Sequence, residues 1–81
     1  MITVYGKDNC GYCTKAKNLL ESRSIPFTYL KVGEDIGINE FKENYPNIRT
    51  VPLIINNNGI LGGFNELQAY LEDIAGTAEN F

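Results

Sequence analysis

The chain of 81 residues is long enough for one domain, because a second hydrophobic core would need about 50 residues of its own. Seven basic against ten acidic side chains, with no histidine, leave a net charge of −3, which argues against a protein that binds nucleic-acid phosphates. The sequence opens without a basic leader and has no apolar run near the roughly 20 residues of a membrane span. We therefore expect a single domain over residues 1–81 in a soluble, cytoplasmic protein.

The first part of the chain predicts a strand, a helix and a second strand. Residues 2–5 are β-branched and aromatic and end at Gly6, as in a buried first strand. A helix should begin near the first cysteine and end near residue 23 or 24, because apolar residues recur at helical spacing, namely Cys13, Ala16, Leu19 and Leu20. Residues 25–32 then alternate with a period of two, with Pro26 at the start, where no ladder donor is missed.

The second part predicts a helix, a hairpin and a final helix. Residues 34–45 fit one helical face, although Gly37 interrupts them, and Pro46 ends the pattern. The apolar runs 53–55 and 60–61 flank a turn sequence at 56–59, which is typical of a β-hairpin. The last helix carries apolar residues at i, i+3, i+4 and i+7, namely Leu67, Tyr70, Leu71 and Ile74. Residues 76–81 are expected to form a frayed tail.

The resulting order is β-α-β-α-β-β-α. The first β-α-β unit implies parallel, right-handed pairing of the first two strands, whereas the hairpin adds antiparallel pairing. We therefore expect an α/β fold in which a four-stranded mixed sheet is flanked by three helices.

The chain has two cysteines, in the sequence Cys10-Gly11-Tyr12-Cys13. A structural zinc ion normally takes four Cys or His ligands, so one chain offers only half of a zinc site. A disulfide that closes a ring of about four residues would stabilise the fold by only about 2 kcal/mol, less than a longer loop would. A close pair of cysteines is better suited to opening and closing a disulfide without moving the fold, which favours redox chemistry.

The two cysteines are chemically unequal. Cys10 lies where a helix cap would sit, so the free N–H groups of Tyr12 and Cys13 should point toward its sulfur and stabilise a thiolate. Gly11 retains an N–H group that proline would lack. Cys13, inside the first turn, should be more buried. We predict that Cys10 is the nucleophile and Cys13 the resolving thiol.

Three motifs together resemble the glutaredoxin family: the Cys10 to Cys13 motif, Thr50-Val51-Pro52, and Gly62-Gly63 before the last helix. The resemblance runs from residue 1 to about 75. Thioredoxin fits worse, because the chain has no tryptophan and lacks the additional N-terminal strand and helix. The resemblance implies a thioredoxin-like fold and the reduction of glutathione mixed disulfides and protein disulfides, with glutathione as the electron source and ribonucleotide reductase as one candidate recipient.

The resemblance also implies which residues bind glutathione: Lys7, Tyr12, Arg49, Thr50, Val51, Pro52, Gly63, Phe64 and Asn65. In the family this proline is cis, so that Val51 can offer its N–H and C=O groups to the cysteine of glutathione. The N–H groups of Phe64 and Asn65 would bind the γ-glutamyl carboxylate. On the residues alone, Pro52 could simply start a strand, and Asn65 would also fit an N-cap with Gln68 as its partner.

We expect the enzyme to act as a monomer. The sequence leaves two alternatives open. Gly11 replaces the family's common proline, and family members with a smaller residue there can hold a two-iron two-sulfur cluster between two subunits, with Cys10-type thiolates and glutathione as ligands. Asn65 replaces the family's frequent aspartate, which would fit a protein-specific electron donor with little affinity for glutathione. Apart from such a cluster, no metal is expected.

Overall fold

The computed structural model describes residues 1–57 and 59–79, and for residues 73–79 it describes the backbone alone. Its elements follow in the predicted order: β1 (Ile2–Gly6), α1 (Gly11–Ser22), β2 (Phe27–Lys31), α2 (Ile38–Asn44), β3 (Leu53–Asn56), β4 (Gly59–Gly62) and α3 (Phe64–Glu79). Asn58, in the predicted turn, and residues 80–81 of the predicted tail lie outside the described residues. None of the described helices has the length and hydropathy that a membrane crossing requires.

The four strands form one mixed sheet in the order β2-β1-β3-β4. β1 pairs with β2 in parallel, so that Val4 lies beside Tyr29, and it pairs with β3 antiparallel, so that Val4 faces Ile54. β3 and β4 form the antiparallel hairpin. The structure therefore confirms the predicted four-stranded sheet and the parallel pairing of the first β-α-β unit.

The core lies on one face of the sheet, beneath α1 and α3. It is built from buried residues of β1, α1, β3 and α3, namely Ile2, Val4, Ala16, Leu20, Ile54, Leu67 and Leu71. Side chains of a strand alternate between faces, and residues three or four apart share one side of a helix, so the strand and helix patterns in the sequence meet here. This packing sets α1 and α3 side by side, with their N-terminal ends available for a common site.

The opposite face of the sheet is covered by α2 through an aromatic cluster. The ring of Tyr5 lies 5.2 Å from that of Phe41 and 5.5 Å from that of Tyr45, measured between centroids. Burial, together with a hydrogen bond to Tyr45, raises the pKa of Tyr5 to about 12. The cluster fixes α2 next to the end of β1, from which the loop to Cys10 departs.

Two element boundaries in the first half differ from the prediction. β2 begins at Phe27 rather than at residue 25, and α2 begins at Ile38 rather than at residue 34. The residues that precede α2 form a turn, in which the Gly33 N–H group donates to the Ile36 carbonyl at 2.7 Å and the Asp35 carboxylate accepts from the Lys31 N–H group at 2.8 Å. Such local bonds compete with a helix.

The last helix is longer than predicted, because residues 76–79 extend α3 to Glu79 instead of forming a frayed tail. Ala78 and Glu79 are good helix formers, and one glycine inside a helix costs only about 1 kcal/mol. The single Gly76 is therefore too weak a signal to end the helix.

Candidate redox site

Cys10 and Cys13 form a disulfide, with their Cα atoms 5.2 Å apart. Cys10 has the extended backbone conformation of an N-cap, with φ of −117° and ψ of 107°, and precedes the first helical residue, Gly11. The Cys13 N–H group donates to the Cys10 sulfur at 3.2 Å. The sequence placed both the Tyr12 and the Cys13 N–H groups near this sulfur, and the structure shows the bond from Cys13. A donor that points at the sulfur from a helix N-terminus favours a thiolate once the disulfide is reduced.

The two cysteines differ in solvent access as predicted. The Cys13 side chain is 1% exposed and lies among the core residues, whereas Cys10 is only partly buried. An incoming sulfur can therefore reach Cys10 but not Cys13. A thiolate at Cys10 can attack a disulfide, and Cys13, held one helical turn away, can then displace the product.

The segment that faces the cysteines is Val51-Pro52, and the peptide bond between these residues is cis. The Val51 carbonyl oxygen lies 3.8 Å from the Cys10 sulfur. The backbone of Val51 is thus adjacent to the reactive atom, where it can bind an extended peptide beside it.

A cavity of about 500 Å³ opens between this segment and α2. We call it the α2 groove, and it is lined by Lys7, Cys10, Val32, Ile38, Phe41, Lys42, Ile48, Arg49, Thr50 and Val51.

A second cavity, of about 390 Å³, lies between the same segment and the start of α3. This α3 cleft is lined by Tyr12, Thr50, Val51, Pro52, Gly63, Phe64, Asn65 and Glu66. The Tyr12 ring is 58% exposed and lies 5.8 Å from the Phe64 ring, so the two rings connect the starts of α1 and α3. The Lys15 ammonium lies 5.0 Å from the centroid of the Tyr12 ring.

The start of α3 corrects the predicted cap. The Gly63 carbonyl accepts the first helical bond from the Leu67 N–H group at 3.0 Å, so Gly63 is the N-cap. The Glu66 carboxylate accepts from the Gly63 N–H group at 2.7 Å, which is the reciprocal half of a capping box. Asn65 therefore lies inside the first turn, and its pairing with Gln68 as a capping box is wrong, because the chain already turns into the helix two residues earlier.

Every residue that the sequence assigned to glutathione binding lies at one of these two cavities. Lys7, Cys10 and Arg49 line the α2 groove, and Thr50 and Val51 line both cavities. The remaining predicted glutathione contacts line the α3 cleft, namely Tyr12, Pro52, Gly63, Phe64 and Asn65. Cys13 lies behind Cys10 and lines neither.

The sequence analysis missed Glu66 and the α2 wall of the groove. Glu66 could have been found, because glycine is an accepted N-cap residue and a glutamate three residues after an N-cap can bond back to its N–H group. The positions of Ile38 and Lys42 beside Cys10 depend on how α2 crosses the sheet, which no local pattern reveals.

An ion pair holds the loop that leads into Cys10. The Lys31 ammonium, at the end of β2, lies 3.0 Å from the Asp8 carboxylate and 3.3 Å from that of Glu34. Hydrogen bonds to these two carboxylates raise the pKa of Lys31. Since the side chains are partly exposed, the pair orients the loop more than it stabilises the fold.

The described residues bring no group of three His, Cys, Asp or Glu side chains close enough to hold a metal ion.

Together, a Cys-x-x-Cys pair at a helix N-terminus, a facing cis-proline and a four-stranded mixed sheet define a thiol-disulfide oxidoreductase of the thioredoxin-like fold. The glutaredoxin family model matches residues 2–60. Because this match spans well over half of the chain, the protein belongs to the glutaredoxin family.

Individual proteins agree with this assignment. Glutaredoxin 3 of Escherichia coli K12 is 31% identical over 68 residues, which cover 84% of this chain and 82% of that protein. The structure of glutaredoxin 1 from Francisella tularensis, complexed with cacodylate, superposes with a TM-score of 0.73 at 26% identity, over 93% of this chain and 95% of that one. A buckwheat glutaredoxin in complex with glutathione has the same fold, with a TM-score of 0.73 at 21% identity, over 89% of this chain and 68% of the other.

Proposed function

We propose that this protein is a glutathione-dependent oxidoreductase that reduces glutathione mixed disulfides and protein disulfides in the cytoplasm. The observation that carries the proposal is that two cavities flank the Thr50-Val51 backbone beside the Cys10 sulfur. A tripeptide whose cysteine lies on Val51 can extend one end into each cavity. The buckwheat relative, which shares the fold, was solved with glutathione bound.

The reaction begins with reduced Cys10. Its thiolate attacks the glutathione sulfur of a mixed disulfide, forms a Cys10–glutathione disulfide and releases the substrate thiolate, which takes up a proton. The thiolate of a second glutathione then attacks the glutathione sulfur of that intermediate. Glutathione disulfide leaves, with one glutathionyl group from the substrate and one from the reduced glutathione, and the Cys10 thiolate is regenerated.

For a protein disulfide, the chain's own second thiol completes the reaction. Cys10 forms a mixed disulfide with the substrate, Cys13 attacks Cys10, and the internal disulfide that the structure contains is the product. Glutathione then reduces that disulfide. Ribonucleotide reductase is one candidate recipient of electrons by this route.

The γ-glutamyl end is assigned to the α3 cleft. At the start of α3, the N–H groups of Phe64 and Asn65 have no carbonyl partner inside the helix and suit a carboxylate. Asn65 lacks the charge of the family's aspartate, but the Glu66 carboxylate lines the same cleft and can face the ligand's ammonium. This chain thus retains an anion in the cleft one residue further along, which favours the glutathione enzyme over a protein-specific electron donor.

The glycine end of glutathione is assigned to the part of the α2 groove that Lys7 and Arg49 line. Lys7 and Arg49 line the groove together with Cys10, and their charges suit the glycine carboxylate. Tyr12 forms the side wall of the cleft beside the γ-glutamyl group.

The test is the reduction of the mixed disulfide between glutathione and hydroxyethanethiol, with reduced glutathione as the only electron donor. We expect turnover, with a Michaelis constant that rises when Lys7 is replaced by glutamine. Reduction of protein disulfides by dithiothreitol-treated protein, without turnover of the glutathione mixed disulfide, would overturn the glutathione part of the proposal.

The alternative of a cluster carrier makes a different prediction. In a two-iron two-sulfur dimer, Cys10 is the residue with which each chain would hold the cluster, and Gly11 leaves open space beside it, since a side chain there would meet nothing within 4 Å. Anaerobic reconstitution with iron, sulfide and glutathione, followed by absorbance and size-exclusion measurements, decides between the two. A brown dimer supports the carrier, and a colourless monomer supports the enzyme.

A further inference from the structure

The α2 groove is a positive region of an acidic protein. It is lined by three of the chain's seven cations, Lys7, Lys42 and Arg49, and by no aspartate or glutamate among the described lining residues. Of the other cations, Lys31 is held by Asp8 and Glu34. Three positive charges of a chain with a net charge of −3 thus lie around the cavity that contains the reactive sulfur, where they attract anionic partners.

The remaining walls of the groove are mainly apolar. Val32, Ile38, Phe41 and Ile48 line it, and Ile38 is 53% exposed. Phe41 is held in place by its contact with Tyr5, so the floor is preformed. An exposed isoleucine beside a lysine on the same helix offers both an apolar and an ionic contact to one occupant.

We propose that the α2 groove docks the polypeptide substrate, and that it selects an extended segment with an apolar and an acidic side chain next to the disulfide. The charge complementarity of Lys42 and the continuity of the groove with Cys10 and the Val51 backbone carry this inference. It deepens the proposed reduction of protein disulfides, but it is independent of glutathione as the reductant.

The docked reaction takes both of its electrons from the reduced protein. The Cys10 thiolate attacks one sulfur of the bound disulfide and the partner's sulfur–sulfur bond breaks. Cys13 then attacks Cys10, and the internal disulfide forms as the segment leaves with two thiols. Two electrons pass from the protein to the partner, and the two product thiols take one proton from Cys13 and one from the solvent.

The experiment uses two cyclic disulfide peptides that share a leucine beside one cysteine and differ only in the next residue, glutamate or lysine. Each peptide is mixed with the pre-reduced protein in the absence of glutathione, and the second-order rate constant of reduction is measured. We expect the glutamate peptide to react about fivefold faster, and we expect about 1 M salt to abolish the difference.

Lys42→Glu should reverse the preference between the two peptides. Arg23→Glu is the matched control, because Arg23 also lies at a helix end, as the C-cap of α1, but does not line the groove. We expect Arg23→Glu to keep the preference, and Lys42→Gln to abolish it without reversal if the glutamate variant does not fold. Equal effects of Lys42→Glu and Arg23→Glu would overturn the proposal.

Ile38→Ser tests the apolar wall. This substitution should slow the reduction of both leucine peptides about threefold. The rate constants for matched peptides in which serine replaces leucine should not change. A loss of activity toward the glutathione mixed disulfide equal to the loss toward the peptides would assign the groove to a small anionic thiol instead. If sedimentation showed a dimer that Ile38→Ser dissociates, the groove would be assigned to a second copy of this chain. Either result would overturn peptide docking, whereas failure of the glutathione assay alone would leave it standing.

Discussion

The Glu66 carboxylate accepts a hydrogen bond from the Gly63 N–H group at 2.7 Å and thereby closes the N-terminus of α3 beneath the α3 cleft. Glu66 is also one of the residues that line the cleft. One side chain thus caps the helix and contributes negative charge to the site, so its two roles can be separated by substitution.

Glu66→Ala should lower the free energy of unfolding by about 1 kcal/mol, because the cap is lost. Glu66→Gln retains an oxygen acceptor and should keep most of this stability. Urea denaturation measures both, with Glu72→Ala as the control, since Glu72 is an exposed glutamate of the same helix beyond its first turn. Equal stabilities of Glu66→Ala and Glu72→Ala would contradict the capping role.

Gly62→Ala should destabilise the fold by more than about 1 kcal/mol. Gly62 has a φ of +133°, and a Cβ atom there would lie 2.6 Å from Cγ of Glu66. The substitution both strains the backbone and displaces the cap. Gly11→Ala is the matched control, because a Cβ atom at Gly11 meets nothing within 4 Å, and its denaturation midpoint should stay the same or rise.

The unequal cysteines predict unequal variants. Cys10→Ser should abolish reduction of both kinds of substrate, because the accessible nucleophile is lost. Cys13→Ser should retain reduction of glutathione mixed disulfides, since a second glutathione can release Cys10, but should lose reduction of protein disulfides. Assays of both substrates with both variants check the assignment, and equal loss of mixed-disulfide reduction in the two variants would reverse it.

Alkylation by iodoacetamide reports the thiolate of Cys10. In Cys13→Ser the backbone N–H group at position 13 remains, so its hydrogen bond to the Cys10 sulfur should persist. The alkylation rate should therefore reach half its maximum below the pH of about 8.5 that is typical of a free thiol. The same variant unfolded in urea is the control, and identical midpoints in the folded and unfolded protein would remove the role of the helix start.

The Tyr5 hydroxyl should lose its proton only at high pH, and the stability of the fold should decrease as it does so. Burial raises the pKa of Tyr5 from 10.0 to about 12, so the folded protein keeps this proton longer than the unfolded chain does. The stability that depends on neutral Tyr5 is complete below pH 10 and is lost as the pH rises toward 12. Phenolate absorbance should show a step near pH 12 that Tyr5→Phe removes and Tyr29→Phe leaves in place. Persistence of this step in Tyr5→Phe would contradict the assignment.

The sequence by itself determined the order of the elements, the helix that starts at the cysteines and the inequality of Cys10 and Cys13. These depend on local periodicity and on the free N–H groups of one helix, which neighbouring residues specify. Residues 34–37 form a turn instead of the predicted helix, because local hydrogen bonds make the two conformations similar in free energy. Residues 76–79 continue the last helix instead of forming a tail, because one glycine costs a helix little free energy.

Beyond what the family resemblance implied, only the tertiary structure decided which distant residues share a cavity with Cys10. Val51 lies beside the Cys10 sulfur because β3 pairs with β1, and Ile38 and Lys42 line the groove because Phe41 packs on Tyr5 across the sheet. The glutamate at position 66 faces the cleft because Gly63, not Asn65, begins the turn into α3. Each of these contacts joins separate elements through packing, and packing free energy belongs to the assembled core rather than to any one segment of the chain.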